Sequence, residues 1–107
     1  MQSIEPPVSK ALVLVCEKCG KRLDSEADEN PSRKLVSRLK KTAKKLFDRG
    51  EIRAVATSCM DICPEDRVSV AITTLQGPSA GTRFYTVELD DVEETARRIL
   101  KEVKRGD

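Results

Sequence analysis

The order of apolar segments in this chain predicts an α/β domain with a four-stranded mixed sheet, built as βαβ followed by ββα. Three observations support it. Two short apolar runs, Lys10 to Val15 and Ile52 to Thr57, flank one long stretch of helical periodicity. An alternating run at Val68, Val70 and Ile72 is followed by a turn cluster at residues 76–81 and a strand-like run from Arg83 to Glu88. The chain then closes on a second amphipathic stretch. With 107 residues the chain is one domain, taken as residues 10–107, and it can bury a core without staples. Residues 1–9, with Pro6 and Pro7, read as a frayed tail.

Each element has a local reason. The run ending at Val15 is continuous, as expected of a strand buried on both faces. Gly20 to Asn30 is polar and acidic without periodicity, and reads as a loop. Leu35, Val36, Leu39, Ala43, Leu46 and Phe47 recur at helical spacing, so residues 31–49 are expected to be helical. Asn30 suits the N-cap, Pro31 the first helical position, and Gly50 the left-handed residue that ends the helix. Strand, long helix, strand makes the first two strands parallel neighbours. The short link after the third strand makes the last two a hairpin. In the final helix, about 90–104, Asp90 is the expected cap, Glu93 follows three residues later, and Val92, Ala96, Ile99, Leu100 and Val103 form the apolar stripe.

Composition narrows the function classes. The chain has no tryptophan, one tyrosine and two phenylalanines, so its core must be aliphatic. It also has no histidine, which removes the commonest general base and the commonest nitrogen ligand for zinc. No catalytic residue is expected. No segment approaches the apolar length of a membrane span, and the first residues lack a basic stretch followed by an apolar one. A cytoplasmic protein with reduced thiols is the expectation.

The chemistry lies in four cysteines in two tight pairs, Cys16 with Cys19 and Cys59 with Cys63, each pair just after an apolar run. Parallel strands of a βαβ unit end at the same sheet edge, where open α/β sheets build their sites. The two pairs are therefore expected to converge on one four-thiolate site. Four thiolates suit zinc or an iron–sulfur cluster. Cys16-Glu17-Lys18-Cys19-Gly20 reads as a zinc knuckle, with the glycine supplying a turn that a Cβ would hinder. The same spacing beside a βαβ unit is also the mark of thiol–disulfide chemistry, but there the pair opens a helix, whereas here an acidic loop is expected to intervene. Four reduced cysteines without a metal, buried as small apolar residues, are the plain alternative. Met60 and Ile62, between the second pair, are expected to shield sulfur from water.

The stretch Ser58-Cys59-Met60-Asp61-Ile62-Cys63-Pro64, followed by the strand from Val68, resembles the thioredoxin-like 2Fe–2S ferredoxins, as does the order of elements. In that family a Cys-x₃-Cys loop before a strand supplies one pair of ligands, matched by Cys59 and Cys63. The other pair comes from the loop after the first strand. Cys16 matches its first member, while Cys19 stands three residues on where the family's second ligand lies about a dozen residues on. The resemblance spans the layout of residues 10–104. It implies a thioredoxin-like fold, one-electron transfer through a 2Fe–2S cluster held by Cys16, Cys19, Cys59 and Cys63, and a homodimer. A structural zinc held by the same cysteines is the alternative.

Charge is unevenly distributed. Residues 33–49 carry Arg33, Lys34, Arg38, Lys40, Lys41, Lys44, Lys45 and Arg49 against one acid, Asp48. Residues 88–94 carry Glu88, Asp90, Asp91, Glu93 and Glu94 without a base. The basic helix reads first as a solvated face and second as a docking surface for an acidic redox partner. Nucleic acid fits less well, because no aromatic residue interleaves the bases. The acids suit the start of a helix.

Overall fold

The computed structural model describes residues 2–3, 10–23, 29–48, 50–58, 67–75 and 80–105, with residues 22, 23 and 105 described by backbone alone. Four strands and three helices occur among them: β1 (Ala11–Cys16), α1 (Glu17–Leu23), α2 (Pro31–Leu46), β2 (Ile52–Thr57), β3 (Val68–Thr74), β4 (Gly81–Val87) and α3 (Val92–Arg105). The sheet is mixed, with strand order β2-β1-β3-β4. β1 and β2 run parallel, from Ala11 opposite Ile52 to Cys16 opposite Thr57. β3 lies antiparallel to β1, with Val15 opposite Val70, and pairs in a hairpin with β4. The expected α/β architecture is thus present. The tail expected at residues 1–9 falls outside the described residues except for 2 and 3, as does the turn cluster except for Ala80 and Gly81.

One face of the sheet carries the core. Ala11, Val13, Val15, Val68 and Val70 are fully buried there, in one cluster with Leu35 and Leu39 of α2 and Leu100 and Val103 of α3. Each valine or leucine side chain so removed from water contributes about 1.5–3 kcal/mol. α2 and α3 form because their apolar residues recur on the stripe that meets this face. β1 departs from the expected burial on both faces. Its alternate residues Leu12 and Leu14 are only half-buried, because α2 and α3 cover the other side.

Three boundaries move. α2 stops at Leu46, and Phe47 caps it in an extended conformation, its N–H bonded to the Ala43 carbonyl. Gly50 is therefore not the helix-ending residue. It sits instead in a turn closed by the Glu51 N–H on the Asp48 carbonyl at 3.2 Å, with φ +86°. The cap of α3 is Asp91 rather than Asp90: its side chain accepts the Glu94 N–H at 3.2 Å and its carbonyl the Thr95 N–H at 2.9 Å. The largest change is α1. Residues 17–20, expected to form a tight turn, and residues 20–23, expected to begin a loop, are helical.

Candidate functional site

β1 runs directly into α1 at Cys16, and no loop separates the first thiol from a helix. A seven-residue helix with glycine at its centre is too short to persist alone, so tertiary contacts must hold it. They come from the start of α2. Ser32, fully buried, donates its hydroxyl to the Cys16 carbonyl at 2.6 Å. Asn30 uses both ends of its amide. Its Oδ1 accepts the Ser32 N–H at 2.8 Å and so caps α2, while its Nδ2 donates to the Glu17 carbonyl at 2.9 Å. The orientation is fixed by chemistry, since the oxygen meets a donor and the nitrogen an acceptor. Arg33 adds an exposed ion pair to Glu17 at 2.7 Å.

Gly20 explains how close α1 comes to α2. A Cβ there would overlap Asn30 Oδ1 and Ser32 Oγ and stand 2.6 Å from Ser32 N. Space, rather than the tight turn expected from the sequence, is why this position is glycine.

This frame holds two thiols. Cys16 is fully buried and Cys19 only 3% exposed, and neither is in a disulfide. The Cys19 N–H donates to Cys16 Sγ at 3.4 Å, and Cys19 Sγ lies 3.9 Å from Ser69 Oγ. A backbone donor aimed at sulfur favours the charged thiolate over the thiol. Ser69 is fully buried on β3. Alternation puts Ser69 on the side away from α2 and α3, together with Cys16, and contacts between α1 and β3 cover that end. Thr57 stands opposite Cys16 and Thr86 opposite Ser69, so a polar row crosses this end of the sheet.

The expected site is therefore only partly in view. Cys16 and Cys19 are brought together at the end of β1. Cys59 and Cys63, with Met60 and Ile62 between them, lie outside the described residues. Among the described residues no group of three or more acidic, cysteine or histidine side chains is assembled to hold a metal ion. The elements that flank the second pair do reach the same end of the sheet. β2 finishes at Thr57 opposite Cys16, and β3 starts at Val68, past the Val15–Val70 pair. Sequence reasoning recognised Asn30 only as a cap and missed Ser32 and Ser69. The signal for Ser69 was a small polar residue amid Val68, Val70, Ala71 and Ile72.

The two charge clusters are neighbours at one groove. Lys34, Arg38 and Lys41 line one groove with Asp90, Asp91 and Glu93 at the start of α3. Glu93 and Glu94 pair with Arg97 and Arg98 one turn on, and Glu88 pairs with Arg67. No helix among the described residues is long and apolar enough to cross a membrane. No protein-family model matches the chain, and no curated protein matches it.

Proposed function

We propose that the chain is a thioredoxin-like electron-transfer protein whose Cys16, Cys19, Cys59 and Cys63 hold a 2Fe–2S cluster. The observation that carries this reading is the corner at the end of β1, where two buried thiols stand one helical turn apart and the Cys19 N–H points at Cys16 Sγ. That donor set suits a metal-bound thiolate pair. The strand order β2-β1-β3-β4, with β1 and β2 parallel, supports the thioredoxin-like layout. Closeness in sequence to the end of β2 supports the second pair. Cys59 follows Thr57 by two residues in the sequence, and Thr57 stands opposite Cys16.

Within this reading the chain's own groups have defined tasks. The backbone donor at Cys16 Sγ tunes the potential, because it favours the more negative state. The cluster supplies one-electron chemistry. An acidic redox partner would dock on α2, and the position of the thiols narrows where. At 1.5 Å per residue Lys45 stands about 16 Å further along the helix than Lys34. The docking bases are therefore those near the corner, Lys34 and Arg38, rather than Lys44 and Lys45. A homodimer belongs to the same reading.

Anaerobic purification with iron, sulfide and zinc analysis and a visible spectrum tests it. Equal iron and sulfide with a red-brown colour, both lost in Cys16→Ser and Cys63→Ser, is the expected result. A colourless protein with one zinc would instead identify the four-thiolate centre as structural.

One observation favours a second reading, thiol–disulfide exchange by Cys16 and Cys19. α1 begins at Glu17, directly after Cys16, so the pair does open a helix. Burial of both sulfurs weighs against it, since an attacking thiolate needs access. A metal-free protein that reduces disulfides would select it.

A further inference from the structure

We infer that Asn30 is a positioning residue for the thiol pair, separate from its service as the cap of α2; the inference rests on the reading of Cys16 and Cys19 as metal ligands. Two acceptor–donor matches fix its amide. The oxygen faces the Ser32 N–H at 2.8 Å, and the nitrogen faces the Glu17 carbonyl at 2.9 Å. The first bond belongs to α2 and would be made by any capping side chain. The second does nothing for α2. It grips the first residue of α1, immediately after Cys16 and two residues before Cys19.

Position decides why that grip matters. The spacing of the two sulfurs depends on how the chain leaves β1, and α1 is too short to fix this by itself. Ser32 holds the Cys16 carbonyl, Asn30 the Glu17 carbonyl, and Gly20 lets both come close. The two consecutive carbonyls are thereby held by two residues of one helix start. Partners that orient ligands in this way typically govern metal affinity by about 10–100-fold.

The test separates the two ends of the amide. Aspartate and serine both cap helices well. Asn30→Asp keeps the acceptor for the Ser32 N–H but cannot donate to Glu17. Asn30→Ser caps without added charge and is too short to bridge. Metal-free, reduced full-length chain is titrated with Co²⁺ under a competing chelator, and tetrathiolate absorption is followed. Both variants should bind Co²⁺ about 10–100-fold more weakly than wild type while their metal-free thermal midpoints fall only by what one lost hydrogen bond costs. Weakening in Asn30→Asp alone would trace the effect to charge and overturn the inference. Unchanged affinity in both, or loss of affinity matched by loss of stability, would overturn it also. Wild-type protein that takes up no Co²⁺ would reject the four-thiolate reading itself, and this inference with it.

Discussion

The two ends of the sheet are fastened by different means. At the far end, Lys10 and Ala11 donate backbone N–H groups to the Glu51 carbonyl at 2.9 and 3.1 Å, and Leu75 donates to the Lys10 carbonyl at 2.9 Å. Side chains add a partly exposed ion pair, Lys10 to Glu51 at 3.2 Å, Lys10 over the Phe47 ring, and an exposed bond in which Glu51 Oε1 accepts the Asp48 N–H at 2.6 Å. At the thiol end the fastening is by side chains onto main chain, with Ser32 and Asn30 bonded to consecutive carbonyls. Backbone bonds tolerate almost any sequence. Side-chain bonds in a confined space do not. The far end is thus held mainly by backbone, with side-chain contacts that solvent reaches, whereas at the thiol end the side-chain bonds are buried or partly so and specified residue by residue.

The sharpest way to break this contrast is a pair of glycine substitutions. Gly20→Ala should cost about 3 kcal/mol, because the new methyl overlaps Asn30 and Ser32. Helix propensity alone would stabilise the same variant by about 1 kcal/mol, so the sign found by urea unfolding decides between packing and propensity. Next in size is Ser32→Ala, which leaves the buried Cys16 carbonyl without this donor. It should cost about 2 kcal/mol in the same assay. A neutral result would mean that the bond does not hold the corner. Gly50→Ala at the far end should cost only about 1 kcal/mol, since nothing lies near a Cβ there and only the positive φ resists it. Gly50→Asn should recover part of that loss, because asparagine tolerates left-handed backbone. If Gly50→Ala proved the costlier of the two alanine variants, the contrast between the ends would fail.

The sequence disclosed what depends on long patterns. α2 was readable because its stripe repeats over four turns, and the parallel pairing of β1 and β2 followed from the length of the connection. α1 was not readable. Seven residues, Glu17 to Leu23, are too few to show a period, and Gly20 at their centre signals a turn rather than a helix. Ser69 followed an alternation that normally points to solvent. It is buried because α1, itself hidden from the pattern, covers that end of β3. The cap of α3 moved by one residue because Asp90 and Asp91 are equally suited and only the backbone chooses. Of the candidate site, the convergence of Cys16 and Cys19 at the end of β1 was legible. The surrounding donors were not, since Asn30 and Ser32 meet the pair only through folding.

Ser32 and Asn30 also make the thiol corner and the first turn of α2 share one equilibrium. Linkage is reciprocal, so whatever ion, cluster or disulfide tightens Cys16 and Cys19 must tighten the start of α2 by the same free energy. The Ser32 and Arg33 amides, both bonded to Asn30, become remote reporters of what the sulfurs hold. Their hydrogen exchange should slow as the corner is filled, although neither residue is a ligand.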